Sequence, residues 1–535
     1  MFRSVPRLGV LCTLLLGALA SAEEASVPTG APLSFESAEL RELAGTWGEP
    51  FRAVMLLPGV SHVVSGVGLP VVRGAAPSST AVYLDGVRVP QLYHLGLGPS
   101  IIHPELIGGL DFHRGPAPAR FGRELGGTVE AHLVPPSADT VRAEASLELL
   151  TAGVLTRIPM TATGTELTLA GRFAWTPWLF AAYSNGTRTG PEWVLDVFDY
   201  QARVTQRVGR GSLRLLAFGG SDDAGLSGEG DVAAVGAGFH RVDLRLTHPL
   251  GAGEAEAALT VGQDRLGFDA GGDASRLAVG LKERMLGARV SWRVPLAVGL
   301  ALEVGADMEH RLSELAQSTT FRPGEAGEPS RPTVTSAVLQ PLARATFAGA
   351  YAQATWRHGG WSLTPGLRVD GYSLGAERTE VVLEPRLHAR GRLSETVVVR
   401  LGAGLRHQPP AHLVDVPGLD AAALRLGMQR AVQLDAGADV RGPADFTFSA
   451  DVFAQPHLRT VELDVLNFGG RARTAEGHGY GVELMARRAL TESWSLLAAY
   501  SFQWRRLHEL ERRHVLNAAA TVKLPWGLTV GTTLH

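Results

Sequence analysis

The chain has 535 residues, 45% hydrophobic and 19% charged, with 50 Lys+Arg against 53 Asp+Glu, 64 Gly, 31 Pro and one Cys. Leu, Val and Ala are too plentiful for a disordered chain, and a net charge of −3 lacks the basic excess that a nucleic-acid partner calls for. Beyond the first twenty-odd positions no apolar run approaches the roughly 20 residues that a membrane helix needs, which excludes a helical membrane protein.

At the N-terminus Arg3 and Arg7 precede an apolar stretch from Leu8 to Ala20, and Ala20-Ser21-Ala22 follows. A positive start, a short apolar core and a small-x-small site make an export signal at residues 1–22, too short to serve as a membrane anchor. Cys12 lies inside that signal, so the exported chain is expected to carry no thiol or disulfide. Residues 23–32 then form a short periplasmic segment.

Residues 33–136 read as a small mixed α/β domain. Leu40, Leu43, Trp47, Phe51, Val54 and Leu57 have a loosely helical spacing interrupted at Pro50. Short strands are predicted at Pro70–Arg73, Thr80–Leu84 and Leu110–His113, with glycine at many turns.

From about residue 141 the pattern has period two. Val242, Leu244 and Leu246 alternate with Arg241, Asp243, Arg245 and Thr247; Val397, Val399, Leu401, Ala403 and Leu405 alternate with Arg400, Gly402, Gly404 and Arg406. A single such strand fits a soluble sandwich equally well. Recurrence to the end of the chain, in segments of roughly ten residues, is what a transmembrane barrel requires. Tight turns are expected at 208–212, 249–255, 293–298, 357–361, 391–395, 441–446, 490–494 and 524–528. Long loops are expected at 173–193, 219–238, 264–275, 310–345, 407–428, 457–478 and 505–513. Such alternation matches periplasmic turns and longer outer loops. Trp494, Tyr500, Phe502 and Trp504 share one strand face, and Trp356 and Trp361 bracket a tight turn, as expected of aromatic belts at the headgroup level. The fold class is therefore mainly β: residues 137–535 form a transmembrane antiparallel β-barrel of about 19 strands, with the α/β domain in its lumen. The last predicted strand, Leu528–His535, runs outward. With an odd strand count, this ending suggests a truncated or diverged chain, or one completed by another polypeptide.

Eight pieces within 33–136 occur in a particular order: Leu57-Pro58-Gly59-Val60, Val72-Arg73-Gly74, Thr80-Ala81-Val82-Tyr83-Leu84-Asp85-Gly86-Val87, Pro104-Glu105-Leu106-Ile107, Leu110-Asp111-Phe112, Arg114-Gly115-Pro116, Arg120-Phe121-Gly122 and Gly126-Gly127-Thr128-Val129. In that order and spacing they resemble the plug domain of TonB-dependent outer-membrane receptors. The resemblance implies a barrel of 22 strands in the outer membrane, no cofactor and no enzymatic activity. It also implies uptake of a small-molecule ligand: an iron-siderophore, a cobalamin or an oligosaccharide. Arg73, Asp111 and Arg114 match charges that in the family tie the plug to barrel carboxylates. Gly74, Asp85, Gly86, Gly115, Arg120, Gly122 and Gly127 complete the motif set. Gly74, Gly86, Gly115 and Gly122 fall at strand ends, where positive φ or close approach of another backbone is expected.

Other residues carry weaker signals. Tyr93, His94 and His103 are candidates for the ligand path, with turn residues as the alternative. His508-Glu509 with His514 has the wrong spacing for a zinc helix, and no metal site is expected. Asn185-Gly186-Thr187 and the acidic group Asp222, Asp223, Glu229 and Asp231 are explained by loop composition. No G-x-S-x-G, H-E-x-x-H or Walker-type loop occurs. Family members also carry an extended peptide near the mature N-terminus that pairs with TonB, the energy coupler. Here residues 23–34 read EEASVPTGAPLS, and two prolines make a poor strand-addition peptide. TonB coupling is thus not evident, and the alternative function is a non-transporting plugged barrel acting as envelope scaffold or adhesin.

Overall fold

In the computed structural model, residues 32–535 are described except 64–67, 137–139, 149, 177–191, 229, 273–274, 322–333, 411–416, 418–422, 463–472, 489–492, 506–511 and 527. The export signal, nearly all of the following segment, Asn185-Gly186-Thr187, Glu229 and His508-Glu509 therefore lie outside the described residues. Among the described residues no helix is long and apolar enough to cross a membrane.

Among its described residues the N-terminal part has seven strands: β1 (Leu33–Glu36), β2 (Val60–His62), β3 (Pro70–Val72), β4 (Ala81–Leu84), β5 (Val87–Arg88), β6 (Ile107–His113) and β7 (Thr128–Leu133). Five form a mixed sheet in the order β1-β6-β7-β4-β5, with β4 parallel to β7; β2 and β3 form a separate ribbon. The helical spacing around Pro50 resolves into a short α-helix, Ser37–Glu42, and a 3-10 helix, Pro50–Leu56, which starts at the proline because an N-terminal turn needs no N–H there. Phe51, Leu57, Leu84, Ile101, Ile107 and Phe112 are buried together. Their cluster continues without a break into barrel residues Leu216, Phe218, Phe239, Met485 and Leu497. Each large apolar side chain buried in this way contributes about 1.5–3 kcal/mol, so the plug core is completed by the barrel wall.

Around it run nineteen strands among the described residues, from Arg142–Leu147 to Thr529–Leu534, in a closed ring of sequential neighbours. The period-two pattern decides their faces. In Asp231–Leu250, Val242, Leu244 and Leu246 are exposed on the outside, whereas Arg241, Asp243 and Arg245 are buried toward the lumen. In Trp494–Arg505 the aromatic stripe is half-buried on the outer face, while Ser495, Leu497, Ala499, Ser501, Gln503 and Arg505 are buried against the plug. Closure pairs the backbone without helices, which a lipid environment demands.

One end of the barrel has tight hairpins, with Val208 opposite Gly211, Leu250 opposite Gly253 and His358 opposite Trp361. At the other end the expected long loops at 219–238 and 264–275 are mostly strand among their described residues. Gly211–Gly228 pairs with Asp231–Leu250 to its tip, and Gly253–Gly271 pairs with Ser275–Ala297. Leu374 and Arg378 close a further tight hairpin there. Outward apolar residues give out in these segments, but the backbone ladder continues, because it needs only alternating side-chain directions.

Candidate functional site

The plug is held by ion pairs on all sides. Arg73 follows β3 in a left-handed conformation, φ 50°, and Gly74 comes next at φ 73°. This turn aims the guanidinium at the wall. Its Nε donates to Glu483 Oε1 at 2.8 Å, Nη2 donates to Glu483 Oε2 at 3.1 Å, and Nη1 pairs with Asp435. The same cation lies 4.2 Å from the centre of the Phe453 ring. Arg114 follows β6 and donates to Glu483 Oε2 at 2.6 Å and Asp451 Oδ2 at 3.0 Å. Glu483 is thus shared by two plug cations. Burial opposes the charge on Arg73, yet Asp435 and Glu483 outweigh it and hold its pKa above the ordinary value; Glu483 and Asp451 do the same for Arg114.

Gly115 and Gly122 are required by close approach. A Cβ on Gly115 would lie 1.6 Å from Asp435 Oδ2, and one on Gly122 would lie 2.3 Å from Arg368 Nε. Asp85, in a left-handed turn with Gly86, pairs with Arg214 on the wall. Gly127 donates its N–H to Thr80 Oγ1 within the plug.

Asp111 differs from the expectation that it joins the wall. It accepts from Ser34 at 2.5 Å and contacts His132 Nε2 at 3.0 Å, both within the plug, because β6 pairs with β1 on one side and β7 on the other. Burial works against its carboxylate, but these two partners hold its pKa below the ordinary value. Arg120 also stays inside the plug, on Glu130 at 2.6 Å. Asp111, Glu130 and His132 come close enough to offer three metal ligands, but His132 and Arg120 already neutralise the two carboxylates.

The sequence reading missed several ties. Arg123 reaches Asp307 at 2.6 Å and Asp370 at 2.9 Å, Glu124 pairs with Arg406, and Glu49 pairs with Arg172 at 2.8 Å. Arg123 and Glu124 directly follow the Arg120-Phe121-Gly122 piece, which was their one available signal.

Between the plug and the upper wall lies a cavity of about 470 Å3. Plug segments 68–70, 77–82 and 88–96 form its floor, and Phe239, Leu266, Met285 and Phe347 stand on its walls. Of the three candidates for the ligand path, Tyr93 lines this cavity, whereas His94 and His103 do not. His94 is buried between Asp199, at 3.2 Å, and Asp222. Burial disfavours its cation, but the two carboxylates prevail and raise its pKa. Asp222 is accordingly an anchor for the plug, where sequence alone suggested a solvated acidic loop. His103 caps the 3-10 turn Pro104–Leu106, and burial drives its pKa down to about 4.

Above the cavity the wall reverses its polarity. By the continuous registers, Leu226, Val235, Phe268, Val279 and Val338 point into the lumen, where they are exposed or half-exposed, while Asp223, Arg265, Asp269 and Arg276 point out. The change occurs near Tyr200 and His240, which stack on the outer face as interfacial aromatics do.

A barrel with a lipid-compatible belt, a lumen filled by its own N-terminal domain and an open vestibule on one side is a plugged transmembrane-type barrel. The TonB-dependent Receptor Plug Domain model matches residues 51–128, and the model "TonB dependent receptor-like, beta-barrel" matches residues 174–534. The chain belongs to the TonB-dependent receptors, a family of outer-membrane transporters that bind small-molecule ligands and interact with TonB. No curated sequence relative matches. Among solved structures the fold is similar to the copper transporter OprC, at 14% identity and TM-score 0.66 over 94% of this chain and 85% of that one. It is also similar to the FrpB iron transporter from Neisseria meningitidis, at 14% identity and TM-score 0.65 over 94% and 85%. A third likeness is to P. aeruginosa FpvA in complex with a ferric pyoverdine, at 12% identity and TM-score 0.69 over 93% and 74%.

Proposed function

We propose that this chain resides in the outer membrane and takes up a scarce substrate, which binds in the vestibule above the plug. In this reading residues 1–22 are removed on export, 23–32 lie in the periplasm, 33–136 are the plug, and 137–535 are the barrel. The tight hairpins face the periplasm. The plug's N-terminal end lies on that side, where Glu39 and Glu42 pair with Arg487 and Lys523. Force applied there would act first on β1 and then, through β6, on Arg114.

The observation that carries this reading is the 470 Å3 cavity, floored by plug loops and walled by the barrel. A ligand resting there touches the part that must move. The ion pairs around the cavity are internally satisfied, with Arg241 on Asp264 at 2.6 Å and Arg311 on Glu309, and the wall above is apolar. An oligosaccharide would leave hydroxyls without partners on such a wall, so the surface suits an iron chelate or a cobalamin-class ligand better. Arg73, Arg114 and their three carboxylates form the closure beneath.

The test is uptake by a deletion strain and its complemented parent, over a panel of ferric chelates, cobalamin and oligosaccharides. Loss of one compound's uptake on deletion, restored by the gene, is expected. Unchanged uptake throughout, with no capture of the TonB periplasmic domain by the full chain, would favour the scaffold or adhesin reading. The proline-bearing 23–34 segment is what keeps that alternative in view.

A further inference from the structure

On the other side of the plug, at the tight-hairpin end, lies a second cavity of about 70 Å3 between the plug and the strands from 334 to 462. Its wall has an unusual row. Arg357 is opposite Ser362, Ser362 is opposite Arg390, and Arg390 is opposite Arg400, so three arginines and a serine cross four neighbouring strands. Adjacent strands are only about 4.8 Å apart, and like charges directly opposite one another destabilise a sheet. Arg400 is neutralised by Asp439 at 2.8 Å and Asp451 at 3.1 Å. Arg357 and Arg390 have no side-chain partner among the described residues.

The next row inward adds a second observation. Thr364, His388, Gly402 and Asp435 are cross-strand neighbours. His388 is 8% exposed, contacts the Ala117 backbone and leaves Nε2 unpaired. Across the cavity, buried His113 of the plug leaves Nδ1 unpaired. Buried polar atoms without partners are costly. The two imidazole nitrogens lack a partner, and the two guanidinium groups beside them, open to solvent, favour a group that accepts several hydrogen bonds and carries negative charge.

We infer that the cavity lined by Arg357, Arg390 and Ser362 is a binding site for a small oxyanion, a carboxylate or a phosphate. Two guanidinium groups present donors in the fork geometry such oxygens favour, and Ser362 adds a hydroxyl. The cavity also touches Arg73, Arg114, Asp435 and Asp451. A bound anion therefore competes with Asp435 and Asp451 for the plug's cations, which places the site against the plug closure. The site is separated from the vestibule by the plug.

The experiment is calorimetric titration of the purified full chain in detergent with inorganic phosphate and, separately, with citrate, at constant ionic strength in chloride. Saturable binding of at least one is expected, and the responding anion identifies phosphate or carboxylate chemistry. Arg357→Gln combined with Arg390→Gln should weaken it at least tenfold. Arg293→Gln, which removes an exposed partner of Glu303 outside the cavity, should leave it unchanged. Electrophoretic mobility with and without heating reports that each variant is folded. Absence of saturable binding by either anion would overturn the site, as would equal affinity in the double variant, which would place the anion elsewhere.

Discussion

Glu483 is 0% exposed and carries two plug arginines on its two oxygens, so its loss leaves two buried cations short of charge. Removing one partner of a buried ion pair costs about 3–5 kcal/mol. Glu483→Gln should therefore lower the urea concentration at which a protease cuts residues 33–136, while the barrel keeps its heat-modifiable mobility; equal resistance would mean that the closure lies elsewhere. Gly115→Ala should act on the same closure by pushing Asp435 aside. The double variant should then cost less than the sum of the two single ones, measured on the same urea scale. Arg73 and Arg114 were legible because each stands in a motif. Glu483, Asp435 and Asp451 were not, since each is one inward residue among dozens and its partner is fixed only when the ring closes. Histidines add a pH term. Burial holds His62 and His103 at about 4, down from 6.5. Both stay neutral in the fold but take up a proton on unfolding, so their contribution is present above 6.5 and is lost as pH falls toward 4. His94 has the opposite sign: its pKa is raised, so its contribution is present at low pH and is lost as pH rises past its folded value. His62→Gln with His103→Gln should flatten the decline in plug protease resistance between pH 6.5 and 4, and an unaltered slope would assign that decline to carboxylates alone.

Strand existence was legible over most of the barrel, but strand length was not. The segments 219–238 and 264–275 look like loops when judged by outward apolar residues. Their described residues are mostly strand because the ladder from Gly211–Gly228 to Leu300–Phe321 continues past the point where Leu215 and Leu244 face outward. Glycine and alanine there weaken the pattern without breaking the pairing. The ring also has an unequal seam. Its sequential pairs are antiparallel, so with nineteen strands the closing neighbours Arg142–Leu147 and Thr529–Leu534 run in the same direction. Parallel pairing is slightly weaker per residue; both strands have six residues, and the last is exposed throughout. Amide hydrogen exchange should be fastest among the barrel strands at 142–147 and 529–534, and slowest where Leu300–Phe321 pairs with Val334–His358. Uniform protection round the ring would contradict the weak seam.

Over the whole molecule, one alternation rule serves two solvents. Within the belt Leu244 and Leu259 face outward and are exposed, and the lumen side carries paired charge. Above Tyr200 and His240 the signs exchange, with Val235 and Phe268 inside and Arg265 and Asp269 outside. Alternation alone is the same on both sides of that boundary, which is why the sequence pointed to a barrel while giving no hint that its upper wall is apolar inside. The consequence is a difference in what an added charge does. An arginine facing lipid near the bilayer midplane costs about 2–4 kcal/mol, so Leu244→Arg should reduce the folded, heat-modifiable fraction assembled in the membrane. Phe268→Arg places the same charge in the open vestibule, where Phe268 is exposed, so assembly should match the wild type while uptake of the proposed ligand falls, because the apolar contact surface is lost. If Phe268→Arg instead failed to assemble and Leu244→Arg did so normally, the lipid boundary would have to lie higher than the aromatic pair. The vestibule wall would then belong to the membrane belt.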